Sequence, residues 1–260
     1  MYFNPFMKSR FIVFVCFISL NILFGCSSSV KKESIIVATA ANMQFVMEEL
    51  ALQFSKQYQI ECDIVVGSSG KLTAQIIEGA PYNIMVSADM KYPNLIDKHQ
   101  LGLTTPRVYA KGKLVLWSNL TKQPTLEDLT LSDVEYIAIA NPKTAPYGRA
   151  AVEVLKHFYK YTAIEDKLVF GESITQTNQF ITSGVAQLGF TAKSVVQSPR
   201  MKNKGKWIEM DHTAYKPIEQ GIIVLKQEDI DSVSAMKFYN FMFSETAKEI
   251  LIKFGYAVSE

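Results

Sequence analysis

Ile64-Val65-Val66-Gly67-Ser68-Ser69-Gly70-Lys71-Leu72 is the stretch that decides the fold of this chain. Its β-branched start predicts a buried strand that stops at Gly67, and its final leucine begins a helical pattern. Gly70 allows a tight turn, and Ser68 and Ser69 are residue types that cap helix N-termini. The first N–H groups of a helix have no internal partner and lie at the positive end of its dipole. The junction therefore suits an oxyanion.

This turn differs from a nucleotide-binding P-loop. The Walker pattern needs four residues between the first glycine and the Gly-Lys pair, followed by serine or threonine. Here only Ser68 and Ser69 separate Gly67 from Gly70, and Leu72 follows the lysine. We therefore expect no nucleotide at this turn, and a structural turn that binds nothing is the competing interpretation.

The N-terminus predicts export. Two basic residues precede the apolar run 11–24, which is shorter than a comfortable membrane span. Leu23-Phe24-Gly25-Cys26 resembles a bacterial lipobox, in which the cysteine is lipidated and becomes the first mature residue. We expect a signal peptide over 1–26, lipidation of Cys26 and a tether over 27–33. An uncleaved signal anchor is the alternative.

Composition restricts the classes of function. With 260 residues, 48% of them hydrophobic, the chain can bury the core of one large or two medium domains. A net charge of +2 without a basic block gives no reason to expect nucleic acid. Once Cys26 is lipidated and Cys16 removed, Cys62 is the one thiol left, so no intrachain disulfide is expected. No spacing of Cys, His or carboxylates indicates a structural metal.

From residue 35 onward, apolar β-like runs alternate with helical patterns. Val46, Leu50 and Phe54 recur every four residues and predict the first helix, for which Asn42 is a natural N-cap. Such alternation favours an α/β fold with parallel or mixed sheets covered by helices on both faces.

The elements divide into two predicted lobes. The first comprises 34–110 plus 224–260, and the second comprises 111–223. We expect the C-terminal helices to pack back on the first lobe, because neither half alone has enough helices to cover its sheet.

Four predicted helices begin after turns of small or turn-forming residues. Open α/β sheets bind ligands beyond the carboxyl ends of their strands, where these turns fall. Two turns belong to each lobe, so the four helix starts can converge on a cleft between the lobes. The turns are Ala40-Ala41-Asn42, Gly67-Ser68-Ser69-Gly70, Ala145-Pro146-Tyr147-Gly148 and Gly171-Glu172-Ser173-Ile174.

The groups offered by these turns are neutral donors. Side chains of Asn42, Ser68, Ser69 and Tyr147 add to the backbone N–H groups. No turn contains aspartate, and we expect Glu172 to face solvent or cap its helix. Such a cage suits a fully ionised anion, because an anion that kept a proton would need an acceptor such as a carboxylate.

A series of motifs continues along the mature chain in a fixed order. They are Val37-Ala38-Thr39-Ala40-Ala41-Asn42-Met43, Gly67-Ser68-Ser69-Gly70-Lys71-Leu72, Glu78-Gly79-Ala80-Pro81, Ser87-Ala88-Asp89, Asn141-Pro142, Ala145-Pro146-Tyr147-Gly148, Leu188-Gly189-Phe190 and Ile252-Lys253-Phe254-Gly255-Tyr256. As a set, they resemble the signatures of the molybdate-binding proteins of bacterial ABC importers. The resemblance implies a two-lobed periplasmic-binding-protein fold of type II, with mixed sheets flanked by helices and the ligand cleft between the lobes.

The resemblance also implies the ligand groups. Molybdate or tungstate is held by hydroxyl and backbone N–H groups, without a protein cation. The first position falls on Asn42, as in the asparagine-containing branch of the family, and the second falls on Ser69. The third falls on Tyr147, mainly through its backbone, and the fourth on the N–H of Ile174. A tyrosine that some members use falls on Ala192, which cannot donate, and the phenol of Tyr147 is a replacement.

The implied function is capture of the oxyanion outside the cytoplasm and delivery to a membrane permease driven by an ATPase. We expect a monomer anchored through Cys26 and facing the periplasm or cell exterior. No cofactor is expected, and molybdenum or tungsten would be present only as the bound oxyanion.

Three other interpretations compete. Sulfate has the same charge and shape, so only the size of the cage separates it from molybdate. A secreted serine hydrolase would need a base near Ser68 or Ser69, but His99 and His157 fall on helix surfaces and His212 in a loop. No Gly-x-Ser-x-Gly elbow is present either. A ligand-free adhesion or scaffold domain would leave the matched donors without a purpose.

Overall fold

The computed structural model describes residues 33–120, 122–227 and 232–258. The predicted signal peptide, Cys26 and the tether up to residue 32 lie outside the described residues. Within the described ranges, no helix has both the length and the apolar character that crossing a membrane requires.

Two five-stranded sheets form the framework. The strands of the first sheet are β1 (Ser34–Ala40), β2 (Glu61–Gly67), β3 (Ile84–Ser87), β4 (Arg107–Gly112) and β10 (Ile218–Val224). Their order across the sheet is β2-β1-β3-β10-β4. β1 is parallel to β2 and β3, whereas β10 is antiparallel to β3 and β4.

The second sheet repeats this mixture of directions. Its strands are β5 (Leu114–Ser118), β6 (Ile137–Ala140), β7 (Leu168–Gly171), β8 (Leu188–Ala192) and β9 (Lys206–Glu209). Their order is β7-β6-β8-β5-β9, with β6 parallel to β7 and β8, and β5 antiparallel to β8 and β9. The predicted two-lobed α/β fold with mixed sheets is confirmed.

Helices follow the strands and cover the sheets. They are α1 (Gln44–Tyr58), α2 (Ser69–Ile77), α3 (Lys91–Lys98), α4 (Pro146–His157), α5 (Tyr161–Ile164), α6 (Ile174–Thr182), α7 (Lys193–Val196), α8 (Ser232–Phe241) and α9 (Glu245–Lys253). Val46, Leu50 and Phe54 of α1 are fully buried, as their spacing predicts. The ring of Phe54 meets that of Phe238 edge-on at 5.0 Å between centroids, so α8 packs back on the first lobe.

The chain passes from one sheet to the other at residues that differ from the predicted lobe boundaries. β4 extends to Gly112, and β5 of the other sheet begins at Leu114. The whole of β10 belongs to the first sheet, although residues 218–223 were expected in the second lobe. The physical reason is pairing: Ile218 lies opposite Gly112 and Val224 opposite Ile84, both in the first sheet. By sheet membership, the second lobe therefore spans roughly 113–217.

Candidate functional site

One pocket brings together the four predicted turns. Asn42, Ser68 and Ser69 line it from the first lobe, and Tyr147 and Ile174 line it from the second. Its other lining residues are Ala40, Ala41, Ala88, Ala145 and Pro146. All of these lining residues are uncharged, so the pocket offers hydrogen bonds and helix N-termini but no counter-ion.

Ser69 is the first residue of α2 and is fully buried. Its Oγ accepts a hydrogen bond from the N–H of Ala88 at 3.0 Å. Because that bond uses an oxygen lone pair, the hydroxyl hydrogen of Ser69 is available for a ligand. Ser68 occupies the N-cap position of α2, but its side chain makes no capping hydrogen bond, contrary to the expected capping role. The hydroxyl group of Ser68 is thus also available at the pocket wall.

Asn42 lies in the pocket wall, but it is not the N-cap of α1. It sits inside a 3-10 turn, Ala41–Met43, that precedes the helix. Its amide Nδ2 donates to Gln220 Oε1 at 2.8 Å and to the Tyr256 hydroxyl at 2.7 Å. The N-cap prediction is therefore wrong, because distant side chains engage the amide instead. The Asn42 Oδ1 atom is buried without a hydrogen-bond partner.

Tyr147 lies in the first turn of α4 and is buried together with its hydroxyl group. That hydroxyl has no hydrogen-bond partner, and it packs against the backbone of Gly112. Burial, together with the nearby phenols of Tyr256, Tyr109 and Tyr215, raises the pKa of Tyr147 well above its usual value. The phenol consequently keeps its proton at neutral pH.

Ile174 is the first residue of α6, after an extended Ser173. Its N–H therefore belongs to the helix-start donors that lack a partner inside the helix. Ala192, by contrast, is fully buried at the end of β8, opposite Leu114, and is not among the residues that line the pocket.

A hydroxyl group close to Ala192 in sequence takes part in a different contact. Ser194 Oγ donates to the backbone oxygen of Asn42 at 2.8 Å and accepts from the Tyr256 hydroxyl at 3.0 Å. Sequence reasoning missed Ser194, Gln220 and Tyr256 as neighbours of the site. The local signals were Gln220, which precedes the apolar end of β10, and Tyr256, which closes the last motif quoted from the sequence.

The two lobes touch around the pocket. The Gly70 N–H donates to the Thr144 carbonyl at 3.0 Å across the cleft. Arg149 of the second lobe forms an ion pair with Asp89 of the first. Burial raises the pKa of Asp89, and the positive charge of Arg149 opposes that rise. These contacts close the lobes over the pocket.

The lining of the pocket differs from that of a hydrolytic or metal site. None of the residues that line the pocket is a histidine, and the Ser69 oxygen accepts from a backbone N–H. Among residues 33–120, 122–227 and 232–258, no group of three or more His, Cys, Asp or Glu is arranged to hold a metal ion. Burial, with the nearby Asp63 carboxylate, raises the pKa of Cys62 to about 12, so this thiol is not a nucleophile at neutral pH.

Comparison with known proteins identifies bacterial solute-binding proteins as relatives of this chain. A family model described as bacterial extracellular solute-binding protein matches residues 35–257. The chain is 34% identical over 242 residues to the molybdate-binding protein ModA of Rhodobacter capsulatus, covering 92% of this chain and 94% of that protein.

Solved structures agree with that likeness. The periplasmic molybdate-binding protein of Azotobacter vinelandii has a TM-score of 0.81 and 34% identity, and the match covers 87% of this chain and 100% of that one. The sulfate-binding protein SubI of Mycobacterium tuberculosis has a TM-score of 0.69 over 88% of both chains. Its identity is only 12%, so it shares the fold alone.

Proposed function

The chain belongs to the family of bacterial extracellular solute-binding proteins, and on that premise we propose that it captures molybdate between its lobes for an ABC importer. One observation carries the proposal: uncharged donors from both lobes line a single pocket. The relatives at 34% identity are named as molybdate-binding proteins, which supports the same ligand here.

The chemistry of the pocket suits a fully ionised tetrahedral oxyanion. Three helices, α2, α4 and α6, begin at its wall and present the positive ends of their dipoles. The Ser69 hydroxyl and the Ile174 N–H add directed hydrogen bonds. A hydrogen bond to a charged group contributes about 1.5–3 kcal/mol, so a few such donors can hold an anion without a protein cation.

Ligand capture and lobe closure are linked. An oxyanion that contacts Ser69 in one lobe and Ile174 in the other favours the closed population by its differential affinity. The cross-cleft contacts, such as Gly70 with Thr144, belong to that closed population. A permease that binds only the closed form would then accept the loaded protein in preference to the empty one.

Tungstate is the second ligand that we propose, because it has the same charge and shape as molybdate. Sulfate remains the alternative, since it also lacks a proton at neutral pH. The test is a thermal-melting shift of the protein from residue 28 onward with molybdate, tungstate, sulfate and phosphate at equal concentration. The described residues from Glu33 onward belong to one compact unit, so this domain is suitable for the measurement.

A ligand at 100 times its Kd stabilises the protein by about 2.7 kcal/mol. We expect a clear rise in melting temperature with molybdate and tungstate. No shift with either anion would refute the proposal, and a shift with sulfate alone would support the alternative.

Anchoring and partners form part of the same proposal. We propose that Cys26 is lipidated, that the protein faces the periplasm or cell exterior as a monomer, and that it delivers its anion to a permease and ATPase. Cys26→Ala should move the protein from the membrane fraction to the soluble exported fraction. A variant that stays membrane-bound would contradict the lipid anchor.

A further inference from the structure

A buried polar cluster behind the pocket connects Asn42 to both lobes. Its five side chains, named the amide cluster below, are those of Asn42, Tyr147, Ser194, Gln220 and Tyr256. Asn42 Nδ2 donates to the Tyr256 hydroxyl at 2.7 Å, which donates to Ser194 Oγ at 3.0 Å. Ser194 Oγ donates in turn to the Asn42 carbonyl at 2.8 Å, which closes a ring of hydrogen bonds.

The Asn42 amide faces the wrong way for an anion. One hydrogen of its Nδ2 goes to Tyr256 and the other to Gln220 Oε1 at 2.8 Å, so neither is free. The end without a partner is Oδ1, which is an acceptor. An oxyanion also offers only acceptors. In this arrangement the Asn42 side chain therefore cannot donate to the ligand that the pocket suits.

Tyr147 contributes a second buried polar atom without a partner. A Cβ built on Gly112 would lie 2.1 Å from the Tyr147 hydroxyl oxygen and 2.7 Å from Gln220 Nε2, so these two atoms are neighbours. The amide nitrogen has only hydrogens to offer, so the hydroxyl hydrogen that Tyr147 keeps has no acceptor there. Gln220 Nε2 makes only long hydrogen bonds, to the backbone oxygens of Ala88 at 3.3 Å and Ile218 at 3.4 Å.

We infer that oxyanion binding turns the side-chain amides of Asn42 and Gln220 by half a rotation, which makes Gln220 a positioning residue for the ligand. After the turn, Asn42 Oδ1 accepts from Gln220 Nε2 and from the Tyr256 hydroxyl, whose one hydrogen leaves Ser194 Oγ. Gln220 Oε1 then accepts from the Tyr147 hydroxyl, and Asn42 Nδ2 donates to the anion. Asn42 Oδ1 and the Tyr147 hydroxyl, which lack partners in the structure, each gain one in the same step.

The anion decides between the two arrangements. Without it, the turned Asn42 Nδ2 would be a buried donor with no acceptor, and the Tyr109 hydroxyl would lose Gln220 Oε1, to which it donates at 3.4 Å. The turned Gln220 Oε1 would also face the carbonyl oxygens of Ala88 and Ile218, which would lose their donor. A buried polar group without a partner is costly, and without the anion the turn breaks more hydrogen bonds of the cluster than it forms, so the unturned arrangement prevails while the closed pocket is empty. The oxyanion supplies the missing acceptor. This switch rests on the proposed function, because it requires an oxyanion in the pocket.

Tyr147→Phe is the first test variant. It removes a hydroxyl group that has no partner in the closed structure, so the melting temperature without ligand should be equal to or above that of the wild type. Molybdate affinity, measured by calorimetry, should fall about tenfold, or 1.4 kcal/mol, because the turned Gln220 Oε1 loses its donor. A variant with unchanged affinity would overturn the inference.

Gln220→Met and the double variant distinguish an effect of Tyr147 through Gln220 from direct contact between Tyr147 and the anion. Gln220→Met should also weaken molybdate binding about tenfold, and combining it with Tyr147→Phe should cost no more than about tenfold in total. Losses that multiply to a hundredfold would mean that Tyr147 acts on the anion directly and would overturn the switch.

Tyr82→Phe is the matched control. The Tyr82 hydroxyl donates to Gln75 Oε1 at 3.0 Å, and neither residue lines the pocket. This variant should lower the melting temperature and leave molybdate affinity unchanged. A loss of affinity equal to that of Tyr147→Phe would overturn the assigned role of the cluster.

NMR signals of the side-chain amides report the half rotation itself. In ¹⁵N-labelled protein, the NH₂ signals of Gln220 and Asn42 are assigned by their loss in Gln220→Met and Asn42→Ala. Both should shift when molybdate saturates the wild type, and unmoved signals would overturn the switch. Failure of the wild type to bind molybdate or tungstate would refute the proposed function and the switch with it. If the wild type binds molybdate normally but the affinity losses of Tyr147→Phe and Gln220→Met multiply in the double variant, the switch alone is refuted.

Discussion

Replacing Ser69 with alanine tests the site most directly. The Ser69 oxygen accepts the Ala88 N–H at 3.0 Å, and both residues are buried. The substitution therefore has two separable costs. Loss of one donor to a charged ligand should weaken molybdate binding by about 1.5–3 kcal/mol, or roughly 10-fold to 150-fold in Kd. The orphaned Ala88 N–H should lower the free energy of unfolding by about 1–3 kcal/mol.

Calorimetry with molybdate measures the first cost, and urea unfolding without ligand measures the second. Ser198→Ala is the matched control: Ser198 is equally buried, and its hydroxyl donates to the Val195 carbonyl at 2.7 Å, away from the pocket. That control should lower stability and leave affinity unchanged. If Ser69→Ala loses stability but binds molybdate as tightly as the wild type, the hydroxyl only supports Ala88 and the reasoning is refuted.

Two further substitutions test closure and pH dependence. Gly70→Ala would place a Cβ 2.8 Å from the Tyr92 hydroxyl in the same lobe and 3.0 Å from the Thr144 backbone across the cleft. Molybdate affinity should therefore fall about tenfold, while the stability of the unliganded protein changes little, because alanine's helix preference of about 1 kcal/mol offsets the shift of Tyr92. Unchanged affinity by calorimetry would contradict the closed contact. Burial raises the pKa of Glu209, but its hydrogen bonds with Lys113 and Lys193 outweigh burial and lower that pKa below its usual 4.5. Glu209 therefore stabilises the fold above pH 4.5, and this contribution is lost as the pH falls through the lowered value. In urea unfolding, Glu209→Gln should lower the free energy of unfolding by about 1 kcal/mol or less at pH 7, because the ion pair is partly exposed. At pH 2 the substitution should have no effect. An equal cost at both pH values would exclude the ion pair as its source.

Local patterns in the sequence were sufficient to predict most of the fold. The spacing of Val46, Leu50 and Phe54 predicted α1, since burial of one helical face depends only on residues within a few turns. Gly255 follows the end of α9, and it has the positive φ of +83° that favours glycine. The four turns followed from the same local chemistry, and their side chains do line one pocket.

What local patterns could not predict are the contacts between distant residues. Asn42 was expected to cap its own helix, but Gln220 and Tyr256, 178 and 214 residues further along, hold its amide. Likewise, β10 joined the first sheet through pairing with strands more than 100 residues earlier.

The sequence by itself determined which residues would offer donors, because turn chemistry and helix starts are local properties. Only the tertiary structure decided which way those donors face. The direction of a buried amide depends on whichever partners the fold brings to it, and hydrophobic periodicity carries no information about such partners.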